Sequence, residues 1–455
     1  MLNLFRSNSE RNILLLALIL FASIVGGYAF NSQLINLAFA ICVFFMLTSK
    51  CACDVLIPFS IVVTWGAEIW GLGSNHLYTL LKLSMMGIFF IKMRMEKKAG
   101  GNVVTFLICL SLFTLYVFIG DFLSSDCKEL MQIINLFLCY LIVFFYCSSA
   151  DSKNLELLSF SFGIGTALSA CIYWMGFLIP SLNEVVLEML QTANTFGDFE
   201  VGRLSAMTYD PNLYGFFVVI SMSLNICIMY RKKYKGVFWN AILTLFLFVL
   251  GMMTLSKAFF LVGGMVLAIF VWLLFRSNYV SYSAKAYVTV VLIVALFAFV
   301  YYLGFYFELF AERFKGDNAS DVTTGRSNLW VFYLNYLFDN PGVLFTGATI
   351  GGKFDDLSTP HNFIIYLLYF FGIIGTLLYV LMISSLIKVA RRINPLSSRY
   401  SRHIMLLPIV TYFVFVQSID PYMLYDIKIM TLSCCITSLI LPLEKYEIKH
   451  NTTGI

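Results

Sequence analysis

A histidine and an asparagine head the long apolar run TPHNFIIYLLYFFGIIG, residues 359–375. An imidazole titrates near neutrality and can take the proton from an attacking hydroxyl, so His361 is a candidate general base. Its other reading is structural, as a partner of Asn362 in capping the helix that follows. Cations offer a second kind of chemistry. Arg203 lies in GRLSAMTYDPNLYG, residues 202–215, and its guanidinium suits an anionic headgroup or diphosphate, or else anchors the chain at an interface. In the same stretch Asp210-Pro211-Asn212 reads as a helix start, with an aspartate cap and a proline at the first helical position. Arg326, in TTGRSNLWVFYLNYLFDNP, falls in the first turn of a predicted helix, where the dipole disfavours a cation. An anion shared between the arginine and the helix amides would account for that placement. Lys257, in TLSKAFF, either grips an anion or snorkels to headgroups.

The elements that must position these residues follow from composition. With 60% hydrophobic and 12% charged residues and 45 phenylalanines in 455 positions, the chain is too apolar for a soluble protein of its size. Apolar runs near the length of a bilayer crossing recur along it, without a period of two, and this argues for helices and against a β-barrel. The reading is all-α: a polytopic integral membrane helix bundle of about 12–14 transmembrane helices, forming one domain over 1–455. The runs centre on 13–30, 34–48, 55–71, 77–92, 103–120, 130–147, 155–179, 211–230, 237–252, 258–275, 286–307, 362–387, 404–419 and 427–442. The first has basic flanks, Arg6 and Arg11, but no small-residue cleavage site follows it, so it reads as a retained helix.

Charge orients the bundle, because connections rich in lysine and arginine stay cytoplasmic. Lys92, Arg94, Lys97 and Lys98 mark one such connection, Arg231, Lys232, Lys233 and Lys235 a second, and Arg391, Arg392, Arg399 and Arg402 a third. One alternating path satisfies all three, with both termini cytoplasmic and the long connections 181–210 and 308–361 external. The formal charge of +5 therefore describes topology and implies no nucleic acid. Of the 11 cysteines only Cys127 falls in a predicted external turn, so no external disulfide framework exists. CAC at 51–53 lacks the spacing of a zinc site, and Asp355-Asp356 reads as a solvated pair; no metal constellation is expected.

The second external loop has its own order. Thr323 or Thr324 caps a helix that carries Trp330, Tyr333, Leu334 and Leu337 at spacings of three and four and stops at Asn340-Pro341. Such a helix is expected to lie along the membrane surface or over a cavity. Among the four histidines, His76 sits in a short turn, His403 in a basic connection and His450 in the tail, leaving His361 in a long external loop.

The order of Arg203 with DPN, then SKA after a hairpin, then TGRSNLW and NP in an external loop, then PHNFIIYLLYFFGIIG, resembles the O-antigen polymerase and O-antigen ligase superfamily over about residues 200–390. The family often has arginine where this chain has Lys257, which keeps the charge and loses bidentate recognition. The resemblance implies a glycosyltransferase of a bacterial inner membrane. It would take a glycan from undecaprenyl diphosphate and join it to a sugar hydroxyl on the external face, in making O-antigen, lipopolysaccharide or a related surface polysaccharide. It implies Arg203 and Arg326 as the diphosphate clamp with Lys257 assisting, and His361 as base or acceptor-positioning residue. Asp210, Asn212, Asn362 and Trp330 complete the substrate-binding set. No cofactor is implied; the partners are the lipid-linked oligosaccharide, membrane lipid and a polysaccharide chain-length regulator.

A polymerase would move the growing chain onto another lipid-linked repeat unit, a ligase onto lipid A core. The expectation is polymerase, with ligase as its alternative. A reading of another class is a lipid-linked oligosaccharide flippase or other transporter, for which Glu68 in VVTWGAEIWG and Lys82 in LLKLSMM would form an intramembrane pair. A non-catalytic partner of the polysaccharide machinery would tolerate loss of His361 and Arg326.

Overall fold

The computed structural model describes residues 8–30, 33–70, 76–96, 103–123, 130–149, 152–194, 203–208, 210–231, 237–276, much of 280–301, 326–348, 360–391 and 406–418. The expected span 427–442, most of the span 286–307, Cys127, Thr323, Thr324, Asp355, Asp356, His403 and His450 lie outside the described residues. Among the described residues every regular element is helical. Five helices, within Glu10–Ala29, Glu156–Gly176, Pro211–Tyr230, Lys257–Arg276 and Phe363–Ser385, are long and apolar enough to cross a membrane. This fits a multi-pass membrane protein.

The helices are α1 (Asn8–Ala29), α2 (Leu34–Thr48), α3 (Leu56–Val62), α4 (His76–Glu96), α5 (Val103–Leu123), α6 (Leu130–Ser149), α7 (Ser152–Gly176), α8 (Pro180–Asn194), α9 (Pro211–Arg231), α10 (Val237–Met253), α11 (Lys257–Arg276), α12 (Arg326–Asp339), α13 (Pro341–Thr346), α14 (Phe363–Arg391) and α15 (Leu407–Phe415). They divide into two compact units, the first made of Met1–Lys98, Ala150–Phe305 and Tyr400–Tyr412, the second of Ala99–Ser149, Tyr306–Arg399 and Phe413–Ile455.

In the first unit α9 is the centre. It has no polar face, and a helix that is apolar all round belongs inside; Phe216, Phe217, Val218, Val219 and Ile220 are fully buried. Its hydroxyls bond back to their own helix, Ser221 Oγ to Phe217 O at 2.9 Å and Ser223 Oγ to Ile220 O at 2.9 Å. Such back-bonding removes the cost of burying them. α7 packs beside it, joined by Thr166 Oγ1 and Ser221 Oγ at 3.1 Å and by Tyr214 OH donating to Thr166 O at 3.0 Å. Gly165 lets α3 come against α7 backbone to backbone, since a Cβ there would stand 2.2 Å from Ile61 O.

Two expected spans are corrected. Residues 55–71 do not form one helix: 3-10 turns at Ala52–Val55 and Val63–Trp65 flank α3, and Gly66, at φ 84°, ends the run before a last 3-10 turn at Glu68–Trp70. Leu56 through Trp65 are all buried, and a segment enclosed by protein is free of the demand for continuous helix that lipid imposes. α14 is interrupted at Gly372, whose backbone is at φ 62°, ψ −173°. A third difference is an addition. The connection 181–210 contains α8, which buries Leu182 and Val186 one turn apart and takes a bond from Ser181 Oγ to Tyr28 O at 2.6 Å.

The second unit is built on aromatic packing. Phe106 stacks on Phe144 between α5 and α6 at 4.8 Å, and Phe113 of α5 meets Phe371 and Tyr379 of α14 edge-on or tilted at 5.9 and 5.5 Å. α12 lies on the first half of α14, burying Tyr333 and Leu337 with Ile365 and Tyr369, and Leu329, Trp330 and Tyr336 join that cluster. Leu334, expected on this face, is instead 37% exposed and outside the cluster, and Tyr336 takes its place.

Candidate functional site

The first unit brings Arg203, Asp210, Asn212 and the turn before Lys257 together. Leu204 N donates to Met253 O at 2.9 Å, and Arg203 Nε donates to Thr254 O at 3.0 Å. These two bonds stitch the start of the Arg203 loop to the α10–α11 turn. The guanidinium is half-buried, and its Nη2 reaches Asn212 Oδ1 at 3.5 Å. Asp210 Oδ1 accepts the Asn212 N–H at 2.8 Å, the cap that the Asp-Pro-Asn spacing demands. Lys257 opens α11 and is half-buried. Before it, Thr254 Oγ1 accepts the Ser256 N–H at 3.2 Å and Ser256 Oγ accepts that of Phe259 at 3.4 Å. The result is a guanidinium and an ammonium at the amino ends of two apolar helices, where dipole and side chain both favour an anion.

The second unit ties Trp330 and Asn362 to the segment of His361, with Arg326 one turn before Trp330 on α12. Trp330 Nε1 donates to Pro360 O at 2.8 Å, which ties α12 to the residue before His361. Asn362 Oδ1 accepts the N–H groups of Ile364 and Ile365 at 3.0 and 3.1 Å and so caps α14. Its amide nitrogen approaches Gln417 O at 3.4 Å. His361 and Arg326 are half-buried, and Arg326 is the first residue of α12. Tyr333 is buried and meets the Tyr369 ring edge-on at 4.8 Å.

Sequence reasoning missed one shared property of these loops. Among the described residues three that are not glycine have a left-handed backbone: Ala206 at φ 48°, Leu255 at φ 50° and His361 at φ 45°. One falls in each of the stretches GRLSAM, TLSKA and TPHN. Such conformations cost on the order of 1 kcal/mol or more and persist where surrounding contacts dictate them. Residue type announces little here: alanine and leucine strongly prefer negative φ, and histidine, commoner than they are at positive φ, prefers negative φ as well.

Among the described residues no group of three or more His, Cys, Asp or Glu side chains is arranged to hold a metal ion. Comparison with known protein families, with characterised proteins and with solved structures yields no match to this chain.

Proposed function

We propose that this chain is a membrane glycosyltransferase that polymerises undecaprenyl-diphosphate-linked repeat units on the external face of a bacterial inner membrane. The observation that carries the proposal is the coincidence just described. The three motif stretches that bear Arg203, Lys257 and His361 are also where the backbone is strained, and strain of this kind clusters at functional sites.

In the proposed reaction the acceptor hydroxyl oxygen bonds to the anomeric carbon of the lipid-linked glycan. The bond from that carbon to the diphosphate breaks, its electron pair leaves with the diphosphate, and the hydroxyl proton passes to the His361 imidazole. Growing charge on the leaving group calls for preorganised cations. Arg203 with Lys257 is the candidate diphosphate grip of the first unit, and Arg326 is the candidate of the second. Asn212 orients the Arg203 guanidinium, Asp210 and Asn362 shape the helix ends, and Trp330 holds the segment before the histidine.

The test is deletion of the gene in its native strain, with the surface polysaccharide resolved on a gel. Complementation uses the wild type, His361→Ala, Arg326→Ala and Arg203→Ala. A ladder that collapses to core plus one repeat unit, rescued by wild type alone, supports the polymerase. Loss of core-linked glycan while lipid-linked polymer accumulates selects the ligase, and an unchanged ladder rejects both.

One observation favours a second reading, a flippase or other transporter. Lys82 is 2% exposed within α4, and the neighbouring segment Ala52–Trp70 is an interrupted helix, features that recur at transporter binding sites. Accumulation of repeat units on the cytoplasmic leaflet in the deletion strain would select it.

A further inference from the structure

α12 presents three sides. One is packed on α14 through Trp330, Tyr333 and Leu337. The exposed remainder separates by helical position into an apolar flank, Val331, Leu334 and Phe338, and a mixed flank on which Asn328, Asn335 and Asp339 surround Phe332. Phe338 is 70% exposed, and beyond the turn Phe345 of α13 is 55% exposed. A helix lying on a membrane surface needs no more than two sides.

Contacts along α12 and α13 advance in step with α14. Trp330 bonds Pro360 O, Tyr333 and Tyr336 meet the Tyr369 ring at 4.8 and 5.7 Å, and Gly347 meets Gly372. The last contact is backbone against backbone. A Cβ on Gly347 would lie 2.2 Å from Phe370 O, and one on Gly372 would lie 2.4 Å from Phe345 O. Both glycines have positive φ, 79° and 62°, so the interlock fixes how far down α14 the segment reaches.

Two rulers give that depth where α5 and α14 cross a membrane. Gly372 lies about 14 Å along α14 from Phe363 at 1.5 Å per residue. Tyr116 of α5, whose hydroxyl donates to Thr346 O at 2.7 Å, lies about 6 Å on the same scale from Gly120, where the apolar stretch of α5 ends. A hydrocarbon core is about 30 Å thick, so both place Thr346 and Gly347 below the surface of one leaflet. Polar groups of the segment are satisfied as that setting requires: Asn340 Nδ2 donates to Tyr336 O at 2.8 Å, Thr346 Oγ1 to Gly342 O at 2.9 Å, and Gly347 N to Val343 O at 2.7 Å.

We propose that α12 and α13 form a re-entrant wedge that descends beside α14 into the outer leaflet, with Val331, Leu334, Phe338 and Phe345 against acyl chains and Asn328, Asn335 and Asp339 lining a water-filled cleft. α14 itself exposes Ile364, Ile374 and Leu377, which face hydrocarbon where that helix crosses a membrane, and this is why bilayer hydrocarbon is the occupant assigned to the apolar flank of the segment packed on it. A carboxylate such as Asp339 is tolerated at this depth only in water or protein, which is why the other flank must be wet. The inference needs α5 and α14 to span a membrane and is independent of glycosyl transfer.

The test is site-directed spin labelling of the full chain in liposomes, on a background with the 11 native cysteines replaced. Labels at Val331→Cys, Leu334→Cys, Asn335→Cys, Phe338→Cys and Phe345→Cys are read by collision with oxygen and with a water-soluble nickel chelate. Leu334 and Asn335 are sequence neighbours, and the proposal expects opposite preferences, oxygen at Leu334 and nickel at Asn335. Val331 and Phe338 share a flank about 10 Å apart along the axis, and Phe338 must read deeper. Equal depths there mean a helix lying on the surface and overturn the proposal. Nickel access at both neighbours, or access to neither reagent at Leu334 and Phe338, overturns it as well. Where the cysteine-free chain does not fold, the native chain is photolabelled with a lipid carrying a diazirine at mid-chain, and absence of adducts on Leu334, Phe338 and Phe345 has the same force.

Discussion

The loops of Arg203 and His361 both hold a residue in left-handed backbone, and they do so by opposite means. Around Arg203 the ties are short polar ones within the loop and its neighbours: Met207 N donates to Ser169 Oγ at 3.3 Å, Thr208 Oγ1 to Ser205 O at 2.7 Å, and Leu204 N to Met253 O. Around His361 the hydrogen bonds come from side chains, Trp330 on one side and Asn362 on the other, and the tryptophan is placed by aromatic packing of α12 on α14. A cation that must grip a charged group gains from a rigid polar cradle. In the reaction proposed for His361, a residue that exchanges a proton with a sugar hydroxyl needs an element that excludes water on one side. The first loop should therefore answer to loss of single polar ties, within itself and to α7 and the α10–α11 turn, and the second to changes in aromatic packing a helix away.

That contrast can be broken most sharply at Gly372. Gly372→Ala forces a side chain onto the Phe345 carbonyl and should cost on the order of 3 kcal/mol, read as a lowered melting temperature of detergent-purified protein. Gly264→Ala, where nothing lies within 4 Å, should be neutral or stabilising by up to about 1 kcal/mol. If Gly372→Ala melts like wild type, the packing half of the comparison fails.

His361→Gly should separate strain from chemistry. Removing the Cβ relieves a left-handed backbone and should stabilise by about 1 kcal/mol, while polymer formation falls about a hundredfold or more with loss of a base. Ala206→Gly relieves the same kind of strain in the other loop and should leave polymer formation intact. Equal loss in both variants would mean that the strain itself matters and not the imidazole.

Arg203→Lys keeps the charge and abolishes the Nε bond to Thr254 O. A loss of about tenfold in turnover is expected, corresponding to about 1.4 kcal/mol, with little change in melting temperature. The smallest effect is assigned to Asn362→Ala, which removes the α14 cap at a cost of about 1 kcal/mol; Asn362→Asp should restore it. A cap effect far larger than this would make the polar ties, and not the packing, the main support of His361.

Much of this architecture was legible from residue pattern. The apolar runs mark α1, α2, α4 to α7, α9 to α11 and α14 to within a few residues, and Asp210-Pro211 marks the start of α9 to the residue. What escaped has physical reasons. The break at Gly66 and the one at Gly372 sit in apolar runs where glycine is common inside helices, and at Gly372 the reason is the backbone of Phe345 and Gly347, distant in sequence. α8 was hidden because Leu182 and Val186 are too few to make a strong period. Leu334 was misassigned because spacings of three and of four both fit the stripe, and only the packing on Tyr369 selects Tyr336. At the site, residue types drew attention to Arg203 and His361, whereas the bonds from Arg203 Nε to Thr254 O and from Trp330 Nε1 to Pro360 O join partners 51 and 30 residues apart and no spacing reveals them.

The bond from Tyr116 to Thr346 O spans 230 positions, and it has a consequence for biosynthesis. α5 leaves the ribosome long before α12, and α14 follows after. When Thr346 is first made, its Tyr116 partner already exists while the Gly372 notch does not. The α12–α13 segment must therefore wait, half-docked, until α14 is delivered, and a nascent chain arrested before residue 363 should leave that segment open to protease.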